Sequence, residues 1–184
     1  MLCLRSRFLL LAILLTIGFN SMSQIYQFRQ YNIEEGLSHP FVYTINNDMN
    51  GYLWVGTGEG LCRFDGFNFI VSKDNDTLTN GFVTNSYLDK NGILWFGHNS
   101  GDVTYYDGKE FKRLDSRDFL TSSITDINSD DKGNVFISAQ NNGLIRVNKE
   151  YKIDTFLISF KTKIIYYHAF AGNSNYLVGC SDGL

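Results

Sequence analysis

The chain has 184 residues, of which 43% are hydrophobic and 19% are charged, and its formal net charge is −3. This composition excludes a disordered chain, and a mildly acidic chain without a basic cluster is a poor match for nucleic acid or an anionic lipid surface. Fifteen Phe, eleven Tyr and seventeen Gly beside a single Pro favour short strands joined by tight turns.

Residues 1–23 predict a cleaved signal peptide. Arg5 and Arg7 precede an apolar run from Phe8 to Phe19, and residues 20–23 supply the small side chains that a signal peptidase reads. The run is shorter than the roughly 20 residues that a bilayer span needs, and an uncleaved anchor is the alternative. We therefore expect an exported protein with a mature net charge of −5, because cleavage removes two arginines and no acidic residue.

One spacing recurs through the rest of the chain. An apolar residue returns every 41 residues, at Trp54, Trp95, Phe136 and Leu177. The turn before it keeps the same step, at Asp48, Asp89 and Asp130. A period near 40 belongs to propeller blades and to some helical arrays. Each unit divides into four short apolar runs separated by tight turns and has no helical face, which predicts the blades of a β-propeller.

The predicted fold is all-β, with about three and a half four-stranded blades in an incomplete ring. The predicted bounds are residues 36–73 for blade 1, 74–114 for blade 2, 115–157 for blade 3 and 158–184 for a partial blade 4. Residues 24–35 align with the fourth strand of a unit, which predicts the outer strand that closes a ring. Because an open array leaves an apolar blade face uncovered, we expect the front end of a longer protein. Cys62 and Cys180 lie at different places in the repeat, so we expect free thiols.

Candidate ligand contacts lie on one face of the predicted blades. In an up-and-down sheet, the turn between the second and third strands shares a face with the crossing between blades. The polar groups there suit a sugar-like ligand bound through many hydrogen bonds, although ordinary solvated turns are the alternative. The candidates are His39, Thr57, Glu59, His98, Asn99, Gln140, Asn141 and Asp182. Trp54 and Trp95 lie inside the most regular strand and are predicted to be core rather than stacking platforms.

The sequence predicts no catalytic residue, metal or cofactor. Residues 46–51 are similar to the start of a calcium loop, but Thr57 stands where a bidentate Glu is needed. His39, His98 and His168 have no ligand spacing, and no kinase or nucleotide motif appears. The alternatives are a secreted carbohydrate-active enzyme, for which Glu59 and Asp182 are the candidate carboxylates, and a structural or adhesive propeller.

The first unit carries a more specific pattern. Asp48 and Asn50-Gly51 precede Leu53-Trp54-Val55-Gly56-Thr57, and Gly60-Leu61 and Phe64-Asp65-Gly66 follow. This pattern resembles the repeat of the two-component regulator propeller family, the periplasmic sensor half of bacterial receptors. Unit three departs from it at Phe136 and Ser138, and unit four lacks the Asp-x-x-Gly turn.

The resemblance implies a larger receptor around this chain. It implies rings of about seven blades, usually two in tandem, then a small β-domain, a membrane helix and a cytoplasmic output module, commonly a histidine kinase. It also implies a homodimer at the inner membrane that reaches the bilayer only through a segment beyond Leu184. The expected function is periplasmic sensing of a carbohydrate-like ligand, without enzymatic activity in this chain and without nucleic acid binding through this region.

Overall fold

The computed structural model describes residues 27–71, 81–154, 164–172 and 175–183, so the predicted signal peptide lies outside the described residues. The chain divides into two compact units, residues 1–30 and 31–184. The described residues of the first unit, 27–30, are exposed and form no regular structure. All the strands belong to the second unit. The described residues contain no long apolar helix of the kind that spans a bilayer.

Three complete four-stranded sheets and one two-stranded sheet follow each other along the chain. Blade 1 consists of β1 (Val42–Asn47), β2 (Leu53–Thr57), β3 (Gly60–Phe64) and β4 (Phe69–Val71). Blade 2 consists of β5 (Val83–Leu88), β6 (Leu94–His98), β7 (Val103–Tyr106) and β8 (Phe111–Arg113). Blade 3 consists of β9 (Ile124–Ser129), β10 (Val135–Ala139), β11 (Gly143–Val147) and β12 (Ile153–Asp154). The partial blade 4 consists of β13 (Ile165–Gly172) and β14 (Asn175–Cys180). Neighbouring strands are antiparallel, and the all-β propeller fold is confirmed.

The repeated Asp and Trp form one structural unit in blades 1 and 2. The Oδ1 atom of Asp48 accepts hydrogen bonds from the backbone N–H groups of Asn50 and Tyr52, which closes the turn between β1 and β2. Its Oδ2 atom accepts a hydrogen bond of 2.9 Å from Trp54 Nε1. Asp89 repeats these contacts in blade 2. The 41-residue signature therefore marks a turn that is bonded to its own blade core.

Successive blades pack through these aromatic side chains. Trp54 contacts the rings of Phe96, Tyr106 and Phe111 in blade 2, and Trp95 contacts that of Tyr151 in blade 3. Both Trp side chains are buried, which confirms their prediction as core. The small residue two positions after each Trp is also a packing requirement. A Cβ atom on Gly97 would lie 2.4 Å from Ile124 Cγ2 of blade 3, so the neighbouring blade leaves no room for a side chain.

The faces that contact no other described blade keep large apolar side chains in solvent. On blade 1, Thr44 and Asn46 bond to Ser86 of blade 2, whereas Ile45 points the opposite way and is exposed. On blade 4, Tyr176 packs on Phe136 of blade 3, whereas Leu177 is exposed. Cys62 and Cys180 are free, as predicted, but only Cys62 has the burial expected of both, since Cys180 is half-buried.

The predicted closing strand differs from the structure at its end. Residues 27–32 form no strand, and Ile33–Glu35 form a 3-10 turn instead. The reason is local, because Asn32 and Glu35 form a capping box and Gly36 ends the turn with φ 101°. An outer strand forms only by pairing with the inner strands of its blade, so ring closure stays a prediction.

Candidate functional site

The predicted ligand side of the blades, here called the turn face, is defined by one repeated hydrogen bond. In every blade, a backbone N–H just after the second strand donates to the carbonyl of the residue just before the first strand. The N–H donors are those of Gly58, Asn99, Gln140 and Ser181, and the acceptors are the carbonyls of Phe41, Phe82, Ser123 and Ile164. The bond lengths are 3.3, 2.9, 2.8 and 2.9 Å. Equivalent backbone positions therefore carry different side chains in each blade.

Two of the predicted contacts, Thr57 and His98, lie inside the blades. Their exposed fractions are 0% and 3%. Thr57 Oγ1 donates to the carbonyl of Gly60 at 2.9 Å and accepts from the N–H of Glu59, which closes the turn between β2 and β3. His98 Nε2 is 3.0 Å from Thr104 Oγ1. Both side chains are therefore out of reach of a ligand on the surface, because each is buried and hydrogen-bonded within its own blade.

Burial also determines the charge state of His98. Burial lowers the pKa of its imidazole, and this effect is only partly opposed by a backbone hydrogen bond at Gly81 and by the negative charge of Asp102. His98 is therefore neutral at pH 7 and acts as a structural group.

The other predicted contacts reach the surface in equivalent turns. Four of them are exposed, namely Glu59, Asn99, Asn141 and Asp182. Gln140 is half-buried, and its backbone bonds to both Ser123 and Ile165. His39 is half-buried and covers Gly58, with its Nδ1 atom accepting a hydrogen bond from the N–H of Phe41. The turn face therefore presents two carboxylates, amides and an imidazole from successive blades.

Sequence reasoning missed a group of charged residues on this face. Asp102 Oδ1 is 3.4 Å from Arg113 Nη1 and 3.6 Å from Arg117 Nε. A cavity of about 180 Å³ lies beside them, lined by Arg113, Leu114, Asp115 and Arg117. The volume is below the range of about 300–1,000 Å³ that is typical of small-molecule pockets. No spacing rule links Asp102 to these arginines, so only the fold could reveal the group.

A second group missed from the sequence is Ser138, His168 and Asp126, at the contact between blades 3 and 4. Ser138 Oγ is 3.1 Å and Asp126 Oδ2 is 3.6 Å from the same imidazole atom, Nδ1 of His168. A nucleophilic relay needs the hydroxyl on one ring nitrogen and the carboxylate on the other. Here Nε2 is buried without a hydrogen bond to any described residue. The geometry is therefore that of a structural contact, and burial lowers the pKa of His168.

The described residues contain no group of three or more His, Cys, Asp or Glu side chains that could hold a metal ion. Asp48 lies within the stretch that is similar to a calcium loop, and its carboxylate oxygens accept hydrogen bonds from Asn50, Tyr52 and Trp54. Its environment is that of a turn bonded to the core.

Two comparisons of the sequence with known proteins find similarity to signalling proteins. A family profile described as two component regulator propeller matches residues 36–59 and 77–100. Histidine kinase P4 of Formosa agariphila is 36% identical over 61 residues, which are 33% of this chain and 4% of that protein.

Solved structures agree with the blade architecture. The extracellular domains of two hybrid two-component systems of B. thetaiotaomicron superpose with TM-scores of 0.69 and 0.65 at 20% and 19% identity. These matches cover 82% and 85% of this chain, but only 23% and 21% of those chains. A virginiamycin B lyase of Staphylococcus aureus superposes with a TM-score of 0.59 at 14% identity over 75% of this chain and 48% of the lyase. At such identities the likeness shows a shared fold. The chain spans less than a quarter of the length of the hybrid-system domains.

Proposed function

This chain carries two-component regulator propeller repeats, and on that premise we propose that it forms part of the exported sensor of a signalling receptor. The sensor lies in the periplasm, takes an oligosaccharide on its turn face and signals to a histidine kinase or a DNA-binding output module. The similarity to extracellular domains of hybrid two-component systems and to a histidine kinase supports the sensor role.

One observation carries the assignment of the turn face. The same backbone hydrogen bond recurs in all four blades, whereas the exposed side chains beside it differ from blade to blade and include Glu59, Asn99, Asn141 and Asp182. A rigid scaffold with variable polar side chains is the arrangement that many-contact recognition of a hydroxyl-rich ligand requires. Contact residues from several blades also make the ligand span them, so binding is sensitive to how the blades sit together.

The signalling mechanism follows from differential binding. A ligand shifts an equilibrium only when it binds one state better than the other. In the proposed receptor, two sensor chains form a homodimer, and the ligand favours one packing of the sensors over another. That preference is transmitted through a membrane segment to the output module as a coupling free energy.

Calorimetric titration with a panel of neutral and acidic oligosaccharides tests this function on the complete natural protein. The variants Asn99→Ala and Asn141→Ala should weaken binding several-fold. Asn91→Ala is the matched control, because Asn91 is an exposed asparagine in the β5–β6 turn, on the opposite face of blade 2. Absence of binding by every sugar, or equal binding by all three variants, would overturn the proposal.

A carbohydrate-active enzyme is the second candidate, because the propeller fold is shared with a lyase. It requires two carboxylates that face one pocket. Glu59 and Asp182 are exposed on the turn face, but they belong to blades 1 and 4, with two blades between them. Chromatography of the oligosaccharide panel after prolonged incubation separates the candidates, since an enzyme shortens the chains and a sensor leaves them intact.

A further inference from the structure

Every inner strand carries a β-bulge at the same place in the repeat. In blade 1, Val42 pairs with Thr57 and Thr44 pairs with Gly56, which leaves Tyr43 as the extra residue. The register shifts in the other blades leave Thr84, Thr125 and Tyr166 in the same position, each 41 residues after the last. A bulge re-aims a side chain, and bulges are common beside functional sites. All four lie next to the turn face.

The bulge residues of blades 2 and 3 have evident structural roles. Thr84 Oγ1 donates to the carbonyl of Ile124 at 2.7 Å, which ties blade 2 to blade 3. Thr125 Oγ1 is 3.0 Å from Ser138 Oγ within blade 3. A small hydroxyl residue therefore satisfies the fold at this position in blades 2 and 3, whereas blades 1 and 4 carry the exposed rings of Tyr43 and Tyr166 there.

Tyr43 forms an exposed aromatic pair with Phe82. The ring centroids are 4.2 Å apart with an interplanar angle of 48°. Phe82 is half-buried, whereas Tyr43 remains 49% exposed. Since Phe82 belongs to the segment that leads into β5, Tyr43 leans toward blade 2, whose strands are all present. A further blade packed on the opposite face of blade 1 would cover Ile45 and would not account for the exposure of Tyr43.

Polar candidates of the turn face border this pair. The carbonyl of Phe82 accepts a hydrogen bond of 2.9 Å from the backbone N–H of Asn99, so the exposed residue Asn99 is joined through its backbone to one member of the pair. In blade 1, the carbonyl of Phe41, two residues before Tyr43, accepts the N–H of Gly58, the residue that precedes Glu59. Phe41 is itself exposed, and its ring centroid is 5.4 Å from that of His39. Aromatic surface bordered by an amide and a carboxylate matches a sugar ring, which has an apolar C–H face and hydroxyl groups at its edge.

We propose that Tyr43 and Phe82 form a stacking platform for a pyranose ring at the turn face, between blades 1 and 2. The proposal rests on the oligosaccharide-sensing function and adds where the sugar binds. The apolar face of the ring lies on the Tyr43 ring, and the amide of Asn99 and the carboxylate of Glu59 bond to its hydroxyl groups.

The decisive variant is Tyr43→Thr, because blades 2 and 3 carry Thr at the same bulge and the fold accepts it there. We expect this variant and Phe82→Ala to bind the best oligosaccharide of the panel about tenfold more weakly than the natural protein. Tyr43→Phe keeps the ring and should retain most of the affinity. The control is Phe67→Ala, because Phe67 is 83% exposed in the turn between β3 and β4 on the opposite face.

The titrations use the complete natural protein, with thermal unfolding measured for each variant. Unchanged affinity in Tyr43→Thr, or an equal loss in Tyr43→Phe and Tyr43→Thr, would overturn the platform while leaving the sensor function intact. If the natural protein binds no sugar of the panel, the sensor function fails, and the platform fails with it. If the rings bind an apolar probe such as 8-anilinonaphthalene-1-sulfonate and no sugar competes with it, the surface is an apolar docking site and the proposal is wrong.

Discussion

Asn134 Nδ2 donates a hydrogen bond of 2.8 Å to Asp130 Oδ2, and this bond replaces the one that blades 1 and 2 make between aspartate and tryptophan. Blade 3 carries Phe136 at the tryptophan position, and a phenyl ring has no N–H to donate. The amide two residues earlier supplies the missing donor. The turn thus keeps its buried carboxylate bonded although the repeat signature has changed.

We predict that Asn134→Ala lowers the free energy of unfolding by about 1–2 kcal/mol, because it removes a donor from a buried carboxylate. Adding Phe136→Trp should recover part of that loss, since an indole N–H can then take the place of the amide. Urea unfolding of the two single variants and the double variant gives the coupling free energy. Strictly additive effects would show that the two donors are not interchangeable. Asn141→Ala, at an exposed position, controls for the loss of an asparagine.

The contact between blades 2 and 3 predicts a large effect at Gly97. A Cβ atom there would lie 2.4 Å from Ile124 Cγ2 and 2.6 Å from Ile124 Cβ, so Gly97→Ala requires the blades to separate. We expect a loss of about 2 kcal/mol or more in the free energy of unfolding. Asn99→Ala, two residues away and exposed, should leave stability within about 0.5 kcal/mol of the natural value. A tolerated Gly97→Ala would mean that the blades pack less closely than the structure shows.

The buried histidines predict a loss of stability in mild acid. Burial lowers the pKa of His98 and His168 below the ordinary value of 6.5, so the unfolded chain binds protons there before the folded chain does. Their contribution is complete above pH about 6.5 and is lost as the pH falls through that value toward the lowered folded pKa values. For His168, the nearby Asp126 carboxylate opposes part of this loss.

Urea midpoints measured between pH 7.5 and pH 5 test this dependence. The natural protein should lose stability across this interval, and the variant with both His98→Gln and His168→Gln should lose less, whatever its stability at pH 7.5. An identical slope in the two proteins would contradict the assignment.

Tyr151 predicts different stabilities for two small replacements. It is the single non-glycine residue with positive φ among the described residues, at 60°, and its ring stacks on Tyr105 of blade 2 at 4.9 Å and 2°. Tyr151→Ala loses the stacked ring and keeps the left-handed backbone, whereas Tyr151→Gly loses the ring and relieves the strain. We expect Tyr151→Gly to be more stable than Tyr151→Ala by about 1 kcal/mol. Thermal unfolding of the two variants measures the difference, and the reverse order would show that backbone strain is not what the ring offsets.

The repeat made the architecture readable without coordinates. Asp48, Gly51 and Trp54 recur as Asp89, Gly92 and Trp95 because blades 1 and 2 share the same turn, the same bond from that turn to the core and aromatic contacts with the next blade. A periodic physical requirement leaves a periodic pattern, so the blades and the buried Trp side chains could be predicted from the spacing alone.

The candidate site could be predicted only in part, because a position in the repeat does not specify exposure. Glu59 and Asn99 follow strand ends and reach solvent, whereas Thr57 and His98 lie one or two residues earlier and are sealed inside their blades. The pairing of Tyr43 with Phe82 and the approach of Arg113 to Asp102 depend on a bulge and on an ion pair, and neither has a sequence signature.

The sequence by itself determined which blade positions are equivalent, since identical packing demands identical residues. Only the tertiary structure decided which side chains a ligand can reach, because that depends on how the strands bulge and on which side chains are buried at the strand ends.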